Sequence, residues 1–336
     1  MLTLSGDDRP RRGTAARELR IINDGSVLVQ DGRIVEVGSS RRLDKLTSAR
    51  HAEEIDATGR VVLPGFIDAS TSLLCGPPRY GGEPFSASVG VVREWSAQRM
   101  ELMARNRLRQ FVRGGTTTLS AACGYGLDEA TELKALRVLC GLADRLIRIE
   151  PTFRAGWEIP PEFADRRGEY MNWLAERMIP LVKNKRAATG IECVSELEAA
   201  VRETGLSFRT RRGGHLEGNG VEVLTPGHAP AGSGPIALST GFDATASPLM
   251  SMQPVMWLAC RYLSLTPEEA VTAATINAAH ALGIADHVGS IEPGKDADLL
   301  VLQASDYRDL CWYAGVGMIG MVIKGGMEIF PRLEVV

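Results

Sequence analysis

Two β-rich clusters near the ends of the chain, with strand-like and helix-like runs alternating between them, leave few folds open to this sequence. The first cluster, Ser26 to Gly38, alternates apolar and polar residues around Asp31-Gly32. Asp-Gly supplies the positive φ angles of a two-residue turn, so a hairpin is predicted, with Val27, Val29, Ile34 and Val37 free to line a buried side. The second cluster holds Asp298-Leu299-Leu300-Val301-Leu302 and Met321-Val322-Ile323-Lys324-Gly325-Gly326-Met327. Between the clusters the alternation is that of a parallel β/α barrel. Asp128 can cap a helix whose Leu133, Leu136, Leu139, Ala143 and Leu146 recur at three- and four-residue intervals. Thr266-Pro267-Glu268-Glu269 reads as a capping box with proline at the first helical position.

Composition sets outer limits. With 336 residues, 44% hydrophobic and 24% charged, the chain has material for one large core and a small satellite unit. A net charge of -3 and a pI near 6.0 give no electrostatic case for nucleic acid or an acidic membrane surface. The six cysteines (Cys75, Cys123, Cys140, Cys193, Cys260, Cys311) form no Cys-x-x-Cys pair, so they read as reduced core thiols. The first twenty residues are charged and lack an apolar stretch of the secretory kind, and no segment approaches the roughly 18 to 20 apolar residues of a membrane span. A cytoplasmic protein is expected.

Residues 64 to 72 read Pro-Gly-Phe-Ile-Asp-Ala-Ser-Thr-Ser. On a strand, residues i and i+2 share a face, so Ser70 and Ser72 point the same way. The run resembles Pro-Gly-x-Ile-Asp-x-His-x-His, the metal-binding signature of the amidohydrolases, with serine in place of both histidines. The resemblance becomes specific to the imidazolonepropionase family through Gly114-Gly115-Thr116-Thr117-Thr118, Gly124-Tyr125-Gly126-Leu127, Thr131-Glu132-Leu133-Lys134, Pro160-Pro161-Glu162-Phe163, Glu169-Tyr170-Met171, Thr266-Pro267-Glu268-Glu269 and Gly289-Ser290-Ile291-Glu292-Pro293-Gly294-Lys295. It covers most of the chain from about residue 26 onward. It implies an α/β fold: a TIM-type barrel over 61–287, a β-sandwich composed of 26–60 with 288–336, and a flexible segment over 1–25. After Gly205 to Arg211, which resembles the fifth barrel strand, roughly 40 residues or more of the family's β/α material are missing. The barrel is therefore expected to be shortened or distorted near strands five to seven, and a homodimer partner is expected to cover the apolar surface left open.

The same resemblance implies that the metal site has been dismantled. Ser70 and Ser72 replace the strand-one ligands, and a neutral hydroxyl is a poor ligand for zinc or iron. Trp157 stands where Thr-Phe-x-x-x-His places a substrate-contacting histidine. Arg211-Arg212-Gly213-Gly214 aligns with His-Ala-Asp-Glu, which removes a ligand and the general base. Gly241 replaces the strand-eight aspartate. His215-Leu216-Glu217 resembles a strand-six run whose histidine faces the site. Arg79 has the spacing of the substrate-binding arginine, suited to gripping a carboxylate through two hydrogen bonds. Tyr125 retains a substrate-contacting position, while Ala122 and Cys123 replace a lysine and a serine.

Three readings stand at this point. One is a metal-independent enzyme, using no cofactor, that acts on a small cyclic or amide-containing metabolite. Its acid, base or nucleophile would come from His215, Tyr125, Cys123 or Asp243, and its contacts from Arg79, Tyr125, Trp157, Ser70, Ser72 and Arg211. The second is a non-catalytic protein that binds a ligand or partner. The third is an ordinary hydrolase of cyclic amide C–N bonds with ligands drawn from Glu158, Glu192 and His215. Trp157 is further expected to dry the pocket and shape it for a flatter, more apolar ligand. The ligand is expected to be a small molecule, carboxylate-bearing where Arg79 anchors it.

Overall fold

A computed structural model describes residues 1–6, 8–77, 85–142, 146–212, 215–243 and 247–331. Arg79 lies outside the described residues, as does Ala143. The hairpin predicted at Asp31-Gly32 forms between β1 (Gly25–Gln30) and β2 (Arg33–Ser39), with Gln30 opposite Arg33 and the two turn residues at φ 51° and 79°. A second, four-stranded antiparallel sheet brings together β3 (Val62–Pro64) with β12 (Leu299–Leu302), β13 (Ile319–Lys324) and β14 (Met327–Phe330), in the order β14-β13-β12-β3. Ile34 from the hairpin meets Ile291, Ala297, Leu299 and Ile323 in one buried cluster. Both chain ends thus build one sandwich, which also takes β3 from the stretch expected to belong to the barrel.

The N-terminal segment corrects an expectation. Instead of hanging free, it packs through buried Leu2, Leu4, Ala16 and Leu19. Leu2 donates its N–H to Val62 O at 2.8 Å, and Arg11 exchanges backbone bonds with the Asn277 side chain at 2.8 and 2.9 Å. The apolar residues among the charged ones have a core to enter, and the asparagine amide satisfies the backbone where it crosses that core.

Eight strands make the barrel sheet, in chain order: β4 (Phe66–Thr71), β5 (Thr116–Ala122), β6 (Arg148–Ala155), β7 (Gly190–Val194), β8 (Ser207–Arg212), β9 (His215–Gly218), β10 (Val221–Leu224) and β11 (Ile236–Leu238). Strands β4 to β8 run parallel. The last strand returns to the first through Ser70 N–H on Ser239 Oγ at 3.0 Å and Ser72 N–H on Phe242 O at 2.8 Å. The sheet thus has eight strands despite the expected shortening. Crossover helices do not link the later ones: β9 follows β8 directly and runs antiparallel to both neighbours, and β10 pairs in parallel with β11 across a loop.

A reversed strand keeps its inside and outside because side-chain alternation has period two in either direction. Leu216 and Gly218 face the interior opposite Val223 and Val221, while His215, Glu217 and Glu222 face away. An antiparallel hairpin with one polar face tolerates solvent, so these two strands need no helix over them.

Four helices matter for the site. Helix α1 (Glu129–Gly141) is capped by Asp128, whose carboxylate accepts from Thr131 N–H at 2.9 Å, and it buries Leu133, Leu136 and Leu139 as the spacing predicts. Helix α2 (Met252–Tyr262) packs on the sandwich side chain cluster of the main core. Helix α3 (Pro267–Ala273) opens on the Thr266–Glu269 capping box with Pro267 in its first turn. Helix α4 (Ile276–Leu282) closes the end of the barrel where the parallel strands begin. Its Leu282 O accepts from Ser207 at the start of β8, and its Asn277 donates to Ile236 O at the start of β11.

Gly218 shows how tight this floor is. A Cβ there would meet the Arg209 Cγ at 2.4 Å and the backbone oxygen of Ala281 at 2.8 Å. Gly218→Ala is expected to cost about 1–3 kcal/mol, as overpacking does when one neighbour is backbone. Urea unfolding that leaves the midpoint unchanged would show that α4 can move aside.

Candidate active site at the barrel mouth

The ends of β4, β5, β6, β7 and β8 lead into one polar cluster, and its hub is Arg154, a residue outside the expected set. Arg154 shares the inward face of β6 with Thr152, two residues before it. Its Nη1 donates to Ser72 Oγ at 2.7 Å, and Nη2 reaches Ser70 Oγ at 3.5 Å. Nε donates to Glu192 Oε2 at 2.9 Å, and Nη2 stands 2.9 Å from the same oxygen. Its guanidinium carbon lies 4.1 Å from the centre of the Trp157 ring.

Glu192, with a fully buried side chain, serves a second guanidinium. Arg209 Nη2 donates to Glu192 Oε1 at 3.0 Å, to Ser120 Oγ at 2.7 Å and to Thr152 Oγ1 at 3.2 Å. Burial alone would raise the Glu192 carboxyl, but Arg154 and Arg209 outweigh it and hold it below the ordinary glutamate value. Arg154 stays charged for the complementary reason: desolvation is offset by Glu192, Asp243 and Tyr125.

Tyr125, 3% exposed, donates its hydroxyl to Asp243 Oδ2 in a short hydrogen bond. Burial first, and then the Asp243 charge, push the phenol well above its ordinary value, so it remains a proton donor. Below the mouth, Asp68 is fully buried, accepting from Ser239 Oγ at 2.5 Å, Thr240 N–H at 3.1 Å and Thr240 Oγ1 at 2.5 Å. Burial raises its carboxyl to about 6 in spite of these donors.

Of the expected residues, the cluster unites Ser70, Ser72, Tyr125, Trp157, Arg211 and Asp243. Two others are corrected. His215 lies on the outer face of the hairpin, its Nδ1 2.8 Å from Glu222 Oε1, because the inward parity of β9 belongs to Leu216 and Gly218. Cys123 is buried, and desolvation followed by the nearby Glu132 pushes its thiol well above the ordinary value, so it supplies no thiolate. Glu192 is consumed by its two arginines and His215 faces away, which removes two of the three donors that an ordinary hydrolase would recruit. Trp157, expected to dry the pocket for a flatter, more apolar ligand, has two cations at its ring: Arg211 lies 4.5 Å from the ring centre and Arg154 4.1 Å.

The cluster does not suit a divalent cation. A guanidinium already bonds the serine hydroxyls, and a metal ion between them would be repelled. Gly241 has φ 58°, and a Cβ there would come within 2.7 Å of the Thr225 side chain, so the backbone leaves no room for a ligating carboxylate. Among the described residues no group of three or more His, Cys, Asp or Glu is placed to hold a metal ion. No described helix is long and apolar enough to cross a membrane.

Residues 223–326 match the model of the amidohydrolase family. The guanine deaminase of E. coli superposes with a TM-score of 0.70 over 98% of both chains at 16% identity, and molinate hydrolase with 0.60 over 91% of this chain and 90% of its own. At such identities the likeness is one of fold. Sequence goes further: the chain is 32% identical to the imidazolonepropionase of Solibacter usitatus over 99% of its own length and 97% of the relative's, and 31% identical to that of Chloroflexus aggregans over 98% and 96%. It belongs to the imidazolonepropionase family of amidohydrolases. The first alignment spans 409 positions against 336 residues here, so the relative carries material this chain lacks.

Proposed function

We propose that the barrel mouth is a small-molecule site that works without a bound metal ion, with Arg154 as its fixed cation and the Tyr125–Asp243 pair as its proton-handling group. The observation that carries this reading is the position of Arg154, hydrogen-bonded to the two serines that stand where the family signature has its histidines. An arginine buried against a carboxylate stays charged at every physiological pH, so it supplies a permanent positive field where the family resemblance implies a metal. Burial and the Asp243 carboxylate keep Tyr125 protonated, so on this reading the hydroxyl serves a ligand atom as a hydrogen-bond donor, and Asp243 is the acceptor of the pair.

On this reading the site turns over a small cyclic or amide-containing metabolite. Ligand binding without turnover is the competing reading, favoured by the extent to which Arg154 fills the centre of the cluster. Elemental analysis of protein purified without chelator is expected to give well under one zinc or iron per chain, and imidazolone propionate is expected to resist hydrolysis whether or not chelator is present. About one metal ion per chain together with chelator-sensitive hydrolysis would overturn the proposal. Screening of metabolites with the wild type and Tyr125→Phe separates the two readings, because only an enzyme gives a product whose formation the variant slows.

The expected homodimer rests on narrower ground than an open region around strands five to seven. The hairpin face is polar, but Leu224, Leu238, Val255, Leu258 and Tyr262 line an apolar groove of about 320 Å³ that a second copy would cover. Light scattering at micromolar concentration decides it, a monomer counting against.

A further inference from the structure

Arg211 differs from every other guanidinium in the cluster. Arg154 and Arg209 share Glu192, whereas Arg211 has no carboxylate partner among the described residues and its guanidinium lies at the Trp157 ring. It is half-buried at the end of β8, at the mouth rather than on the outer surface where Arg212 pairs with Glu198 at 2.6 Å. Because Arg154 and Arg211 stand 4.1 and 4.5 Å from one ring centre, they cannot be further apart than those two distances together. The indole thus holds two like charges near each other, an arrangement that costs energy unless something anionic shares them. The buried Trp157 Nε1 also lacks a hydrogen-bond partner, leaving one more donor unsatisfied beside the pair.

We infer that Arg211, with Arg154 and the Trp157 ring, forms an anion site for a carboxylate-bearing small molecule; this rests on reading the barrel mouth as a small-molecule site. Charge decides between carboxylate and phosphate. Glu192 and Asp243 already oppose Arg154, so the unmatched charge is the single one on Arg211, which fits a carboxylate of charge -1 better than a phosphate monoester of roughly -1.5 to -2. The site is thereby inverted relative to what the family signature implies: the mouth recruits an anion from the ligand where a cation would sit.

Three probes of one shape test this by calorimetry at low salt: 3-phenylpropionate, its uncharged amide, and phenethyl phosphate. The acid is expected to bind the wild type about tenfold or more tighter than the amide, as hydrogen bonds to charged groups discriminate, and to weaken as salt is added. Arg211→Gln is expected to abolish that preference, and Arg211→Lys to restore part of it, with both variants melting close to the wild type because Arg211 pairs with no buried carboxylate. Equal binding of acid and amide, or a preference that survives Arg211→Gln, overturns this inference and leaves the small-molecule site standing. Tighter binding of the phosphate assigns the site to a different anion and overturns the carboxylate. Failure of all three to bind at millimolar concentration counts against both the anion site and the reading beneath it.

Discussion

Glu192→Ala is expected to cost about 3–5 kcal/mol of stability, the loss seen when one partner of a buried ion pair is removed and the other is left charged. The effect is large here because one carboxylate serves two guanidiniums, Arg154 through Oε2 and Arg209 through Oε1, with Arg209 only 2% exposed. Removing it strands two charges in the barrel interior. Arg209→Met is expected to cost less, since Glu192 keeps Arg154, and the double variant should fall short of the sum of the singles because the three residues act as one network. Urea unfolding measures all three. A Glu192→Ala loss below about 1 kcal/mol would mean that water or a shift of Arg209 relieves the stranded charges.

Asp68 is expected to make the protein less stable as the pH rises from about 4 to 6. Burial lifts its carboxyl from 3.8 to about 6, so in this interval the folded chain holds a proton that the unfolded chain has released, and stability falls with rising pH. Above the folded value the full penalty is in place, about 3 kcal/mol for a shift of roughly two units. Asp68→Asn removes the titration while retaining a carbonyl oxygen for the Thr240 N–H. The stability difference between variant and wild type should therefore move by about 3 kcal/mol in the variant's favour between pH 4 and pH 7. A difference that is flat with pH would show that Ser239 and Thr240 compensate burial fully.

Much of this architecture was legible because its signals are local. Asp31-Gly32 demanded positive φ, Asp128 and Thr266 demanded helix starts, and the alternation of strands and helices demanded a barrel. The reversal of β9 was not legible. Val221-Glu222-Val223 has the same inside-outside pattern in either direction, so a parallel strand and the second arm of a hairpin look alike along the chain. His215 was misplaced for a separate reason: its facing was taken from the family resemblance, whereas the buried parity of β9 falls on Leu216 and Gly218. Arg154 was missed for another reason: nothing in Thr152-Phe153-Arg154-Ala155 says whether an arginine on a buried strand faces solvent or a carboxylate, and Glu192, which decides it, lies on the next strand. A signal was nevertheless present, since Arg154, Glu192 and Arg209 each interrupt a short strand on its inward parity. Charges of opposite sign on adjacent barrel strands with one parity point to a network inside.

The directness of the β8, β9 and β10 connections bears on how the barrel forms. In an all-parallel barrel each new strand waits for a crossover of a dozen residues or more, and the closing entropy comes before any pairing can reward it. Here the Asn219-Gly220 turn, with both residues at positive φ, lets β9 and β10 zip together as neighbours in the chain. This quarter of the wall can assemble on the microsecond timescale of an isolated hairpin and offer β8 and β11 a ready template. The lost helices thus lowered the average separation of contacting residues, giving the barrel a local seed at the position where its symmetry is broken.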